Sequence, residues 1–217
     1  MNPIASTVLV SEHTGHVSTL TIKPENIKAV LVLAHGAGAG MKHRFMEQLA
    51  TGLAERSIAS VRYNFPYMEK GSKRPDVPAV AEKTVESVLA DTQKKFADYP
   101  IFLGGKSFGG RMSSQYVSKK QPTAVTGLIF YGFPLHAPGR AEVQRADHLA
   151  SVKIPMLFLQ GTNDALATIT LIEKVCSNLP QSTLIKFDGA DHSFKVKSRE
   201  LLDELVESSS RWIGQFL

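Results

Sequence analysis

The chain has 217 residues, of which 43% are hydrophobic and 21% charged, a balance typical of one globular domain and not of disordered or collagen-like sequences. The net charge of +5 is spread along the chain, so nucleic-acid binding is not expected. The single cysteine, Cys176, excludes a disulfide within the chain and a cysteine-rich zinc site. Its neighbours have helical spacing, which predicts a buried thiol.

The first 13 residues lack the basic and apolar regions of a secretory signal, and no apolar run approaches the 18 residues that a membrane span requires. We therefore expect a soluble, cytoplasmic protein with no membrane partner. No linker or internal repeat interrupts the chain, so residues 1–217 are predicted to form a single domain.

Two β-rich segments, residues 4–10 and 16–23, flank Thr14-Gly15 and predict a short hairpin or a pair of edge strands. Short and almost continuous apolar runs follow. Continuous apolarity, in place of alternation, is typical of parallel strands that are covered on both faces. These runs are AVLVLA (29–34), IASV (58–61), IFLGG (101–105), GLIFYG (127–132), PMLFLQG (155–161) and TLIKF (183–187).

Segments with apolar residues at helical spacing alternate with these runs. They lie within residues 45–53, 80–96, 112–117 and 201–216. Alternating strands and helices indicate an α/β fold with a mostly parallel, doubly wound sheet and an antiparallel edge at the N-terminus. In such sheets the loops that leave the carboxyl ends of the strands form the functional site.

The third apolar run leads into GGKSFGG, which contains the nucleophile-elbow pattern Gly105-x-Ser107-x-Gly109. Glycines two residues on either side of a serine allow a tight turn from strand to helix that exposes the serine hydroxyl. A phosphate-binding loop is excluded because the required first glycine is Pro100. The run HGAGAG (35–40) likewise fails the dinucleotide-binding pattern.

A serine nucleophile needs a base, and the base needs an orienting acid. Asp164 follows the PMLFLQ strand and His192 follows the TLIKF strand, which gives the order Ser, Asp, His of this class of elbow. Asp188 and Asp191 are rival acids, but their positions favour a role in shaping the loop that carries the histidine.

Three other histidines are not expected to act as the catalytic base. His35 is expected to brace its loop by hydrogen bonds, and His136 and His148 are expected on a pocket wall or the surface.

The small residues of HGAGAG allow close approach of backbone N–H groups to a substrate. We assign the oxyanion hole to the N–H groups of Ala37 and Phe108, with Gly38 as the alternative to Ala37. The other interpretation of this run is a glycine loop that only caps the following helix.

The loop segments resemble those of small α/β-hydrolases without a lid, in the dienelactone-hydrolase-like group. More narrowly, they resemble the hydrolase-like domain shared by a testis-expressed protein and a subunit of the non-specific lethal chromatin complex, with bacterial relatives. The matching stretches are HGAGAGMKHRFM (35–46), VRYNFPYMEKG (61–71), GGKSFGGRM (104–112), YGFPLHAPG (131–139) and LFLQGTND (157–164).

This resemblance implies an α/β-hydrolase fold without a lid domain, a triad of Ser107, Asp164 and His192, and no cofactor; no metal site is assigned. Dienelactone hydrolases carry a cysteine at the elbow, whereas this chain has serine, so that named activity does not transfer. The expected function is a carboxylesterase-like serine hydrolase acting on a small-molecule ester or related acyl substrate. The alternative is a binding module that retains the scaffold.

The segment 133–150 is too short for a helical lid, which favours an open site. Four basic residues lead to the hypothesis that the site prefers anionic acyl groups. They are Lys70, Lys73, Lys106 and Arg111. The sequence identifies no substrate-binding residues and leaves the oligomeric state open.

Overall fold

In the computed structural model, which describes residues 2–217, eight strands form one sheet in the order β1-β2-β4-β3-β5-β6-β7-β8. The predicted domain boundary at residue 1 lies outside the described residues. The strands are β1 (Ile4–Ser11), β2 (Gly15–Ile22), β3 (Ala29–Ala34), β4 (Ile58–Tyr63), β5 (Ile101–Lys106), β6 (Val125–Tyr131), β7 (Met156–Gly161) and β8 (Ser182–Phe187).

Strands β1 and β2 form the predicted antiparallel hairpin, and β2 pairs antiparallel with β4. All pairings from β4 through β3, β5, β6 and β7 to β8 are parallel. The prediction of a mostly parallel sheet with an antiparallel N-terminal edge is therefore confirmed.

Within residues 2–217, six α-helices connect or flank the strands, and the four predicted helical segments are all confirmed. The helices are α1 (Arg44–Ala54), α2 (Pro66–Glu69), α3 (Pro78–Lys95), α4 (Phe108–Lys120), α5 (Ile169–Ser177) and α6 (Leu202–Ile213). Sequence periodicity missed the four-residue α2, the 3₁₀ segments Gln144–Ser151 and Gly214–Phe216, and a small hairpin of β9 (Lys195–Val196) and β10 (Arg199–Glu200), because each is too short to show a period. Among residues 2–217, no helix is both long enough and apolar enough to span a membrane.

The continuous apolar runs reflect two hydrophobic cores, one on each face of the sheet. In β3, Val30 and Val32 belong to the core that also contains α3, α4 and α5, whereas Leu31 and Leu33 belong to the core with α1 and α6. Successive side chains of a strand point to opposite faces, so a strand covered on both sides must be apolar at every position. Cys176 is buried in the first core, as predicted.

The order of the strands fixes where a site can form. From β3 the chain moves to β4 on one side and then to β5 on the other, so the loops that leave β3 and β5 diverge from neighbouring strand ends. Such a switch point opens a crevice at the carboxyl edge of an α/β sheet. The HGAGAG run and Ser107 both lie at this crevice.

Candidate active site

Ser107 joins β5 to α4 in a strained backbone conformation, with φ 50° and ψ −115°. This region is costly for a residue with a side chain and persists only where the surroundings impose it. Here the two flanking glycines allow the neighbouring main chain to pack closely around the turn. A Cβ atom on Gly105 would lie 2.5 Å from the Ala34 carbonyl oxygen, and one on Gly109 would lie 2.6 Å from the same oxygen. Strand β3 and helix α4 are thus in contact at the turn, which supports the predicted elbow.

A cavity of about 570 Å³ opens beside the elbow. Ser107 and His192 both line this cavity, together with Gly36 and Ala37 of the HGAGAG run. Its far wall belongs to the start of α1, the segment after His192 and the start of α6. Apolar residues there are Phe45, Met46, Phe194, Leu201, Leu202 and Leu205, and polar residues are His43, Arg44, Gln48, Ser193, Lys195 and Glu200. The cavity therefore joins the predicted nucleophile and base to a partly apolar pocket.

The side chains of Asp164 and His192 are in direct hydrogen-bond contact. His192 Nδ1 lies 2.7 Å from Oδ2 of Asp164, and the second carboxylate oxygen accepts a 2.8 Å hydrogen bond from the Leu166 amide. Burial raises the pKa of Asp164, but the hydrogen bonds and the charges of His192 and Lys106 outweigh it, so the pKa lies below its ordinary value. A carboxylate that stays ionised keeps the proton of His192 on Nδ1 and leaves Nε2 as the basic atom.

Of the two rival acids, Asp191 has the loop-shaping role that the sequence suggested. Asp191 Oδ1 accepts hydrogen bonds from the amides of Ser193 and Lys195, at 2.8 and 2.9 Å. Asp188 is exposed. Of the three candidate acids, Asp164 alone contacts the ring of His192.

Gln160 is a functional candidate that sequence reasoning missed. Its side chain is fully buried at the end of β7, donates a 2.6 Å hydrogen bond to Oδ2 of Asp164 and accepts one from the Phe133 amide at 3.0 Å. The signal was present in the sequence, since Gln160 is the one strongly polar residue of the run PMLFLQG. A buried amide requires partners, and here the partners are parts of the site.

The two assigned oxyanion donors border the nucleophile from different elements. Phe108 is the first residue of α4, so its N–H group has no acceptor within the helix. Ala37 lines the cavity, and a Cβ atom on the preceding Gly36 would lie 3.7 Å from Cβ of Ser107. The HGAGAG run therefore lies beside the elbow, at a distance that one added methyl group would fill.

His35 has the bracing role that was predicted. It is fully buried; its Nε2 accepts a hydrogen bond from the Phe65 amide at 3.1 Å, and its Nδ1 lies 2.8 Å from the Gly36 carbonyl oxygen. Burial lowers the pKa of His35 to about 4, so the ring is neutral at pH 7 and can make both bonds at once.

The prediction for His136 and His148 was wrong in part. His136 is buried away from the cavity and bonds to the Thr168 amide and hydroxyl, and His148 Nε2 lies 2.7 Å from the Ser114 hydroxyl. Both tie the segment after β6 to neighbouring elements. Their sequence positions carried no sign of these partners because the contacts join residues more than 30 positions apart.

Of the four basic residues considered for anion binding, only Lys106 lines the cavity. Lys70 and Lys73 lie in the loop after α2, and Arg111 lies on α4 outside the cavity lining. Arg44 and Lys195 also line the cavity, where both pair with Glu200, so the preference for anionic acyl groups stays a prediction. Within residues 2–217, no group of three or more His, Cys, Asp or Glu side chains has the arrangement of a metal site.

Comparison with known proteins adds the family context. A family model described as an alpha/beta hydrolase domain matches residues 27–216. The chain is also 36% identical over 114 residues to a proline iminopeptidase of Thermoplasma volcanium, an alignment that covers 51% of this chain and 36% of the relative. The matched region therefore spans just over a third of that relative's length.

Solved structures of similar fold cover the whole chain. An α/β serine hydrolase without a lid from Xanthomonas campestris has a TM-score of 0.78 at 20% identity and covers 100% of this chain and 96% of its own. Dienelactone hydrolase from Anabaena variabilis has a TM-score of 0.79 at 19% identity, with 99% of each chain covered. The predicted α/β-hydrolase fold without a lid is thereby confirmed.

Proposed function

Because the chain belongs to the alpha/beta hydrolase family, we propose that it is a serine hydrolase that uses Ser107, His192 and Asp164 on small esters or related acyl substrates. The observation that carries the proposal is the 2.7 Å contact between His192 and Asp164 beside a strained Ser107 that lines the same cavity as His192. An acid, a base and an exposed serine hydroxyl in this order are what nucleophilic acyl transfer requires.

In this mechanism Ser107 Oγ attacks the substrate carbonyl carbon while His192 Nε2 takes the hydroxyl proton. Asp164 keeps the ring in the required tautomer and stabilises the imidazolium that forms. The N–H groups of Ala37 and Phe108 bind the oxyanion of the tetrahedral intermediate. His192 then protonates the leaving alcohol. In deacylation His192 takes a proton from water as the water oxygen attacks the acyl carbon, and it returns that proton to Ser107 Oγ when the bond to the serine breaks and the carboxylic acid leaves.

An open site supports small or chain-end substrates. The segment between β6 and β7 contains only the 3₁₀ helix Gln144–Ser151 and contributes no residue to the cavity lining. Substrates can therefore enter without displacement of a helical cover. The narrower kinship, to the hydrolase-like domain of the testis-expressed and chromatin-complex proteins, is also proposed; it rests on the loop stretches that carry the resemblance.

The decisive experiment is labelling of the purified protein with a fluorophosphonate probe, followed by peptide mass spectrometry. We expect modification confined to Ser107, no labelling of Ser107→Ala, and hydrolysis of p-nitrophenyl acetate that falls about 10⁴- to 10⁶-fold in Ser107→Ala and His192→Ala. Labelled wild-type protein that hydrolyses no ester in a broad panel would favour another acyl bond. Absence of both labelling and hydrolysis would contradict the proposal and favour the binding module.

The oxyanion assignment has its own test. Ala37→Pro removes one N–H donor, and we expect a loss of about 10² to 10³ in kcat with Ser107 still present. Ala37→Ser retains the N–H group and should stay near the wild-type rate. Equal rates for the proline variant and wild type would assign the second donor to Gly38.

A further inference from the structure

Lys106, the residue before Ser107, reaches the loop that carries His192. It is the last residue of β5, and its Nζ donates a 2.5 Å hydrogen bond to the main-chain carbonyl oxygen of His192. The two residues are 86 positions apart in the chain. The strand that carries the nucleophile is thus bonded directly to the main chain of the proposed base.

Gly132 leaves the space that the Lys106 side chain occupies beside His192. Lys106 pairs in register with Tyr131 of β6, and the next residue, Gly132, has no side chain. A Cβ atom on Gly132 would lie 3.1 Å from Lys106 Nζ and 3.4 Å from both Cε1 and Nδ1 of the His192 ring. Gly132 also has a φ of 72°, which other residues rarely adopt. The lysine and the histidine therefore meet over a gap that a larger residue would close.

The bond to the carbonyl complements the bond to the ring. Asp164 holds the imidazole through Nδ1, which leaves the main chain around it to be fixed by other contacts. Phe194, two residues further on, has φ 59° and places its ring centroid 5.4 Å from Lys106 Nζ, within the range of a cation–π contact. Lys106 thus contacts the loop at His192 itself and at Phe194, two residues further on.

The charge of Lys106 strengthens these contacts. Burial lowers the pKa of its ammonium group to about 8, against the opposing effect of the Asp164 and Asp191 carboxylates. These two carboxylates and the His192 ring are the titratable groups that face it. The group is mostly protonated at pH 7, and a charged donor makes a stronger hydrogen bond than a neutral one.

From this geometry, and resting on the proposed function, we propose that Lys106 is a positioning residue that fixes the His192 main chain relative to Ser107 during acyl transfer. Since His192 acts in both acylation and deacylation, its displacement slows whichever step limits turnover. Lys106 bonds the main-chain carbonyl oxygen of His192 and not a ring nitrogen, so its loss should act mainly on kcat.

The test compares Lys106→Met with wild type on p-nitrophenyl acetate. We expect kcat to fall about 10- to 100-fold while KM changes by less than about two-fold, because misplacing a catalytic group by about 1 Å has effects of this size. The rate of fluorophosphonate labelling at Ser107 should fall by a similar factor. Lys186→Met, which breaks an exposed ion pair with Glu173 on β8, is the matched control and should keep the wild-type rate.

A second variant separates positioning from a structural role. Lys106→Arg keeps the donor and stays charged to high pH. We expect wild-type kcat/KM to decline above about pH 8 as Lys106 loses its proton, and this decline to move to higher pH in Lys106→Arg. That comparison still decides the proposal if circular dichroism shows that Lys106→Met does not fold.

Two results would overturn the inference while the proposed function stands: a wild-type kcat in folded Lys106→Met, or an alkaline decline at the same pH in wild type and Lys106→Arg. Failure of the proposed function is distinct, because the wild-type protein itself would then neither label nor hydrolyse the ester.

Discussion

Gln160 donates its 2.6 Å hydrogen bond to Oδ2 of Asp164, the same oxygen that lies 2.7 Å from Nδ1 of His192. Oδ2 of the carboxylate therefore accepts hydrogen bonds from both Gln160 and His192, and Oδ1 accepts one from the Leu166 amide. In this arrangement the acid cannot rotate away from the base without breaking a buried hydrogen bond.

The Gln160 contact predicts a loss of activity on substitution. Gln160→Leu removes the donor to Asp164 and leaves the buried Phe133 amide without its acceptor. We expect kcat to fall about 10-fold and the free energy of unfolding to fall by about 1 to 3 kcal/mol, as measured by ester hydrolysis and urea denaturation. Gln181→Leu, which removes a hydrogen bond to Val152 away from the cavity, is the control. Unchanged kcat in Gln160→Leu would show that His192 and Leu166 orient Asp164 sufficiently.

The strained backbone at Ser107 predicts that the nucleophile position lowers the stability of the fold. Its φ of 50° favours glycine, so Ser107→Gly should be more stable than Ser107→Ala by about 1 kcal/mol after the greater flexibility of unfolded glycine is counted. Both variants should lack hydrolysis, which makes them a matched pair. Urea denaturation measures the difference, and equal stability would mean that the strain at this position is no larger than the entropic cost of glycine.

The buried His35 predicts a pH dependence of stability. Its pKa falls from 6.5 to about 4 on folding, so between these values the unfolded chain binds more protons than the folded one. The free energy of unfolding should therefore fall as the pH drops from 6.5 to 4, by a total on the order of 3 kcal/mol from this residue. His148, whose pKa is also lowered to about 4, acts in the same direction.

Denaturation at a series of pH values checks this dependence. In His35→Gln the slope between pH 6.5 and 4 should be smaller than in wild type, whatever the absolute stability of the variant. His13→Gln, in the turn of the β1–β2 hairpin, should keep the wild-type slope. A wild-type slope in His35→Gln would place the responsible ionisation elsewhere.

The cavity wall predicts which substituents a substrate can carry. Leu202 begins α6 and lines the apolar part of the cavity. Leu202→Trp should reduce kcat/KM for p-nitrophenyl octanoate about 10-fold or more relative to the acetate, because overpacking an occupied pocket costs about 1 to 3 kcal/mol. Glu207→Trp, outside the cavity lining on the same helix, is the control. An unchanged octanoate-to-acetate ratio would place the acyl chain outside this pocket.

The sequence predicted the strands of the sheet, the elbow and the loop positions of Asp164 and His192. Strands covered on both faces must be apolar throughout, and a tight strand-to-helix turn needs glycines at fixed distances from the serine; both requirements are local and leave a visible pattern. Helix α2 and the β9–β10 hairpin were missed because their stability comes from packing and not from a periodic pattern of their own.

Tertiary structure alone decided which polar groups meet at the site. The bond from Lys106 to His192 spans 86 residues, and the contact between His192 and Asp164 spans 28. These partners meet because β5, β6, β7 and β8 lie side by side in the sheet and end at one edge. No local pattern encodes that order, since it results from how both faces of the sheet are covered at once. The sequence by itself therefore determined the chemical groups, and the packing of the strands determined their partners.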